Sequence, residues 1–276
     1  MEEANDSGAG KATPQPSRNQ ISEPGFAEKI DWILEGSEGR KLYYMGAVNG
    51  VDDAFNYVSN LAPEHAFMLS TREEPLWHLS YRLCLLMGAD NMRDYFLDML
   101  CSRGDDGGDA AGLWADNDPD DIIKRIIRYD PAPGRSFEQG KQFLEWFGLS
   151  TDDPRLSERT RTIFFDPMFK KRDALDGVSY LAGAIEREDF PRSWLFFRNY
   201  QTLKRMAGDG RIQGVALSSP AQLVELAPKM VHEHGIENLV LNISDLYPGE
   251  ESEHLGYIYQ ALTDTRVIKK MWILER

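Results

Sequence analysis

The chain has 276 residues, of which 42% are hydrophobic, so it can bury a substantial core. Its 45 acidic and 31 basic residues give a formal net charge of -14, which repels phosphate backbones and anionic lipid surfaces, and we therefore expect no nucleic-acid partner. No apolar run approaches the roughly 20 residues of a membrane-spanning helix, and no charged and apolar leader begins the chain, so we expect no membrane insertion and a cytoplasmic location.

Residues 1–23 are predicted to form a disordered tail. This stretch combines Gly, Ser, Pro, Asn and charged residues and contains no aromatic side chain, so it cannot bury enough apolar surface to offset its ordering entropy. We expect the remaining residues, 24–276, to form a single α/β domain with a mostly helical insertion at about 91–193.

Helices and strands alternate in the first part of the chain, as they do in parallel sheets with covering helices. The apolar spacing and the turn residues predict, in order, a helix from about 24, a strand at Lys41–Met45, a helix from Asp52 or Asp53, a strand at Ala66–Leu69 and a helix with Pro75 in its first turn.

Helical patterns then dominate the predicted insertion, at Tyr95–Leu100, Ile122–Arg128 and Phe137–Phe147. The sheet pattern is predicted to return at Trp194–Phe197. After it the sequence predicts a helix through Leu203 and Met206, a strand at Ile212–Leu217, a helix beginning at Ser218-Ser219-Pro220, a strand at Leu239–Ile243 and a last strand at Val267–Leu274.

Ligands of open parallel sheets bind beyond the carboxyl ends of the strands. We expect the turns that follow Met45, Leu69, Leu217 and Ile243 to converge on one cleft at the same edge of the sheet. The candidate ligand-binding residues in these turns are Gly46, Asn49, Gly50, Ser70, Ser218, Ser219, Ser244, Asp245 and Tyr247. Ordinary strand-to-helix turns, helix caps and an Asx turn at Asp245 explain the same residues and stay open as alternatives.

Other polar clusters are weaker indications of a site. Lys170, Lys171 and Arg172 form the tightest basic cluster, which we interpret as a solvated helix face. His232 and His234 are two residues apart on a helix and point to different faces, which argues against a shared metal ion. The sequence shows no Ser-His-Asp order and no phosphate-binding loop.

Two blocks of sequence resemble a known family. Leu42–Gly46 through Phe55, followed by Ala66–Leu76 and Leu83, resembles the front of the betaine-lipid-synthase-like group of class I S-adenosylmethionine-dependent methyltransferases. Asn199–Leu203, Gly210–Ile212 and Leu239–Asp245 are similar to the back half of such proteins. Together the two blocks cover about half of the chain, on either side of the predicted insertion.

The resemblance implies a Rossmann-like sheet, S-adenosylmethionine (SAM) as cofactor, and transfer of its methyl or its 3-amino-3-carboxypropyl group to a small-molecule acceptor. By position, the loop at the methionine end corresponds to Gly46, Asn49 and Gly50. The ribose acid corresponds to Ser70, the adenine-side residue to Ser218 or Ser219, and the fourth-strand motif, which includes Ser244, to Asp245. The family's acids are absent at Ser70 and Ser218.

Two functions therefore remain in view. In the first, the protein is a transferase in which Asp245 orients cofactor or acceptor and Tyr247 lines the site. In the second, it is a catalytically inactive binding or scaffolding protein that kept the fold, as the missing acids suggest. A nicotinamide-dependent oxidoreductase is disfavoured, because the first loop lacks Gly-x-Gly-x-x-Gly spacing.

Overall fold

The computed structural model describes residues 25–48, 50–101, 119–186, 190–243, 246 and 252–274. The tail predicted at 1–23 lies outside these residues, as do Asn49, Ser244, Asp245 and Tyr247 of the predicted site.

Five parallel strands form the sheet of the described chain. Their bounds are β1 Tyr43–Ala47, β2 His65–Ser70, β3 Ile212–Ala216, β4 Asn238–Asn242 and β5 Lys270–Ile273. The order across the sheet is β3-β2-β1-β4-β5. The prediction of an α/β protein with a Rossmann-like parallel sheet is confirmed at this level.

Eleven α-helices accompany the strands in the described residues. They are α1 Phe26–Ser37, α2 Val51–Leu61, α3 Glu73–Gly88, α4 Met92–Met99, α5 Pro119–Arg128, α6 Pro133–Trp146, α7 Glu158–Phe165, α8 Pro167–Glu186, α9 Phe197–Gly208, α10 Leu223–His234 and α11 Ser252–Asp264. Every regular element described between α3 and β3 is helical, which agrees with the helical character predicted for 91–193.

The central strands β1, β2 and β4 are covered on both faces and are buried almost throughout, whereas the edge strand β3 is mostly exposed. Alternate residues of each central strand face opposite ways: Tyr44 and Met68 join the core under α1, α2, α3 and the helices of residues 92–192, whereas Met45 and Phe67 join the core under α10 and α11. This two-sided burial explains why short apolar runs located the strands in the sequence.

The strand predicted at Trp194–Phe197 is wrong. Residues 194–196 form a turn before α9, which begins at Phe197, and Trp194 is fully buried outside the sheet. Its backbone N–H donates to the Asn56 side chain of α2 (2.8 Å), and its ring packs edge-on against Phe55 at a centroid distance of 5.3 Å. The apolar run is therefore buried by helix packing, whereas Phe197 at its end is 73% exposed.

Within the described residues, no helix combines the length and the apolar character that crossing a bilayer requires.

Helices α6 and α7 pack so closely that a glycine is needed at their crossing. A Cβ at buried Gly140 would lie 2.5 Å from the Phe164 backbone oxygen and 2.7 Å from a ring carbon of Phe165. We predict that Gly140→Ala lowers the free energy of unfolding by about 1 to 3 kcal/mol, because the two backbones must separate. Urea unfolding followed by circular dichroism measures the change.

Gly134 in the same helix provides the matched control. No atom lies within 4 Å of a Cβ built there, so Gly134→Ala is expected to stay within about 0.5 kcal/mol of wild type. Equal stabilities of the two variants would contradict the close crossing.

Candidate functional site

The carboxyl ends of β1, β2, β3 and β4 lie at one edge of the sheet, because every neighbouring pair is parallel. The prediction that these strands end at a common edge is confirmed. β2 and β3 lie on one side of β1 and β4 lies on the other, so the direction in which the sheet grows reverses between β1 and β4. In open α/β sheets such a reversal leaves a crevice for a ligand outside the strand ends.

Gly46 lies at this reversal, beside Asn242 of β4. A Cβ at position 46 would overlap the buried ring of Tyr44, which folds over the glycine and stacks on Tyr57 at 6.0 Å. The Asn242 side-chain amide donates to the Tyr44 hydroxyl at 3.2 Å. The glycine predicted as a ligand contact therefore also makes room for Tyr44, and a polar pair that was not predicted lies at the same edge.

Gly50 immediately precedes α2 in extended backbone, with φ of -138° and ψ of 130°. This conformation is accessible to any residue, so the position does not require glycine. The first turn of α2 carries Asp52 and Asp53. Four other predicted residues of this edge, Asn49, Ser244, Asp245 and Tyr247, lie outside the described residues.

Ser70, the position of the expected ribose acid, ends β2 and is buried. Its hydroxyl accepts a hydrogen bond from the Arg72 backbone N–H at 3.1 Å. The serine thus stabilises the turn into α3, while Glu73 and Glu74 occupy the first turn of that helix, where acidic side chains complement the helix dipole. Glu74 additionally lines the pocket described below.

Ser218 and Ser219 lie at the corresponding turn after β3. The predicted side-chain cap is wrong: Ser219 precedes the 3-10 turn Pro220–Gln222 without a side-chain cap bond. Instead the Gln222 side-chain oxygen accepts from the Ser218 backbone N–H at 2.6 Å and from its hydroxyl at 3.0 Å. The longer glutamine reaches back over the turn, and both serines are exposed.

A buried ionic network that sequence reasoning missed joins this edge to the helices of residues 92–192. Arg82 of α3 is fully buried and donates from Nη1 to Asp173 Oδ1 at 2.9 Å and from Nη2 to Asp52 Oδ1 at 2.8 Å. Its Nε donates to the Tyr95 hydroxyl. Asp52 lies in the first turn of α2, Tyr95 in α4 and Asp173 in α8, so the Arg82 guanidinium connects four helices, its own α3 included.

Two further groups extend the network. The Trp194 indole N–H donates to Asp52 Oδ1 at 3.1 Å, and His78 Nε2 lies 2.9 Å from Asp173 Oδ2. The His78 ring contacts Phe169 edge-on at 5.5 Å. The network therefore runs from the first turn of α2 to a side chain that lines the pocket beside α3.

Charge pairing decides the ionisation of this network. Burial by itself would raise the pKa of the Asp173 carboxyl, but Arg82 and His78 outweigh it and hold that pKa at about 2. Burial would lower the pKa of Arg82, and the carboxylates of Asp173 and Asp52 instead raise it well above its usual range. The guanidinium and the Asp173 carboxylate are therefore both charged at neutral pH.

The solvated face predicted for Lys170, Lys171 and Arg172 is wrong for the two lysines, which are buried. The Lys170 ammonium donates to Gln139 Oε1 at 2.8 Å and lies 3.5 Å from the Cys101 sulfur. Burial lowers the pKa of Lys170, and the neighbouring Cys101 partly opposes that shift. Only Arg172 of the three is exposed.

A pocket with a volume of about 480 Å³ opens where α3 begins. α3 and its preceding turn contribute one wall and helices α7 and α8 contribute the others. The lining residues are Arg72, Glu74, Pro75, Arg159, Thr162, Ile163, Phe169 and Arg172. Because Arg72 follows β2 by two residues, the pocket adjoins the edge where the strands end.

Helical periodicity in the sequence could have predicted that the charged residues Lys170 and Asp173 are buried. Lys170, Asp173, Ala174, Gly177 and Val178 follow the spacing of one helix face, and all five are buried. No comparable signal exists for the pocket arginines, since Arg72 is separated in sequence from Arg159 and Arg172, and tertiary packing brings them together.

Removing one carboxylate from the buried network is predicted to be costly. Asp173→Asn leaves the Arg82 charge buried with a single carboxylate, and we expect the free energy of unfolding to fall by about 2 to 4 kcal/mol. The ion pair between Lys269 and Glu237 provides the control. It is also short, but both of its side chains are exposed to solvent, and Glu237→Gln removes its carboxylate. That change is expected to cost less than about 1 kcal/mol, and comparable losses in chemical denaturation would refute the role of burial.

The contribution of Asp173 should also depend on pH. Its pKa is about 2 in the folded chain and about 3.9 in unfolded chains, so its contribution is complete above the higher value and is lost as pH falls toward the lower one. The stability difference between wild type and Asp173→Asn is therefore expected to be smaller at about pH 3 than at about pH 6. A difference that stays constant between these pH values in urea titrations would be inconsistent with a depressed pKa.

Comparisons of the chain with protein-family models, curated proteins and solved structures gave no match.

Proposed function

We propose that the protein is a SAM-dependent transferase that moves a methyl or a 3-amino-3-carboxypropyl group to a small-molecule acceptor. The observation that carries the proposal is the strand order β3-β2-β1-β4-β5 in an all-parallel sheet. This order puts a crevice outside the carboxyl ends of β1 and β4, where nucleotide-containing ligands bind in Rossmann-like sheets.

The residues at this crevice suit the amino-acid end of SAM, which carries an ammonium and a carboxylate. Backbone N–H groups of the first turn of α2 are donors for the carboxylate. Asp53 in the same turn is a partner for the ammonium. The Asn242 amide and the Tyr44 hydroxyl add neutral hydrogen-bonding groups beside Gly46.

SAM supplies a carbon that its sulfonium sulfur already makes electrophilic, so the protein has chiefly to position donor and acceptor. We assign the orienting role to Asp245 and a lining role to Tyr247, which follow β4 in the sequence.

A non-catalytic binding protein is the second candidate, and Ser70 favours it. At the position where nucleotide-binding sheets usually place a ribose-binding acid, Ser70 has a hydroxyl that already accepts from the Arg72 backbone. A charged hydrogen bond to ribose is typically worth about 1.5 to 3 kcal/mol, and this chain lacks one at that position.

Thermal unfolding with SAM and with S-adenosylhomocysteine tests the proposal. A ligand present at about 100 times its dissociation constant adds about 2.7 kcal/mol of stability, which raises the melting temperature of a chain of this size by several degrees. The proposal expects such a rise with both ligands. An unchanged melting temperature at millimolar ligand would favour the second candidate.

Asp245→Ala tests the role assigned to this one residue. This variant is expected to abolish cofactor binding in calorimetry while its unfolding curve stays close to that of wild type. Glu237→Ala is the matched control, because Glu237 precedes β4 at the opposite edge of the sheet and is expected to leave binding unchanged. Wild-type affinity in Asp245→Ala would remove Asp245 from the site.

A further inference from the structure

Three arginines line the pocket beside α3. Arg72 comes from the turn after β2, Arg159 from α7 and Arg172 from α8. Glu74 is the one carboxylate among the pocket-lining residues. This excess of positive charge is a local reversal in a chain whose formal net charge is -14.

Some described arginines pair with a carboxylate, whereas others, such as Arg205 and the three pocket arginines, do not. Among the described residues, Arg82, Arg155 and Arg192 each form an ion pair with an aspartate. In the same part of the chain, Arg72, Arg159 and Arg172 form none, although Arg172 lies over the Phe169 ring at 5.5 Å. Their donors are therefore available to an anion inside the pocket.

The remaining walls indicate what else the ligand carries. Phe169, Ile163 and Pro75 give the pocket an apolar side, and Thr162 contributes a hydroxyl. A volume of about 480 Å³ suits a small organic molecule. An apolar side next to several guanidinium groups fits a compact anion attached to an apolar or aromatic body.

We propose that this pocket binds the phosphate group of a small phosphate monoester. Guanidinium groups present planar pairs of donors that match phosphate oxygens, and several of them facing one carboxylate favour a dianion over a monoanion. The apolar wall then contacts the organic part of the ester. Because the pocket adjoins the end of β2, we assign the ester as the acceptor of the transfer reaction, and this assignment alone rests on the proposed function.

Calorimetry with phenyl phosphate tests the pocket without SAM. The full-length protein is expected to bind phenyl phosphate more tightly than benzoate, which carries the same ring and a single charge, and binding should weaken as sodium chloride is added. Inorganic phosphate is expected to compete. Binding of benzoate as tight as that of phenyl phosphate would overturn the assignment of a dianion.

Charge-removing variants locate the binding site. Arg159→Gln and Arg172→Gln are each expected to raise the dissociation constant of phenyl phosphate by about tenfold or more, since each removes a charged hydrogen-bond partner. Both side chains are exposed, so unfolding curves close to wild type are expected. Arg205→Gln on α9 is the control, because it makes the same change of charge at an exposed residue outside the pocket.

Absence of phenyl phosphate binding at millimolar concentration, or equal affinity in wild type and both pocket variants, would overturn the proposal. The proposed function is tested separately, by whether S-adenosylhomocysteine raises the melting temperature of the pocket variants. Phosphate binding that depends on the arginines, in a protein with no response to S-adenosylhomocysteine, would retain the phosphate site and reject the transferase.

Discussion

The buried Arg82 charge is the constraint on which the arrangement of the site depends. A guanidinium without exposure to water is tolerable only when its donors are satisfied and its charge is balanced. Asp52 and Asp173 provide that balance from α2 and α8. Their positions fix the first turn of α2 relative to α8, and with it the distance between the strand ends and the pocket.

The same network gives the pocket a defined wall. Asp173 accepts from Arg82 through one oxygen and lies 2.9 Å from His78 through the other, so its orientation is set at both ends. His78 in turn packs against Phe169, which lines the pocket. Arg159 and Arg172 lie on helices that adjoin this network, and Arg72 lies in the turn before α3, so their backbones are held in place before a ligand binds, which reduces the ordering cost of binding.

The sheet was largely predictable from the sequence, whereas the charged contacts were not. The strands predicted at Ala66–Leu69 and Leu239–Ile243 agree with the observed His65–Ser70 and Asn238–Asn242 to within one residue, because strands buried on both faces are short apolar runs between turn residues. Trp194–Phe197 has the same composition, but it lies outside the sheet and its Trp194 is buried against α2; composition alone does not distinguish the two environments. The pairing of Arg82 with Asp173 spans 91 residues of sequence and arises only from packing.

The attachment of α8 to Arg82 limits how this chain can be shortened. Joining residue 90 directly to residue 194 would keep all five strands but would delete Asp173 and Tyr95, leaving the arginine with Asp52 as its remaining carboxylate. A minimal version of the sheet would therefore need an apolar replacement at position 82 as well as a new linker. The helices between α3 and β3 are, in this respect, part of the folding unit and cannot be removed like a detachable lid.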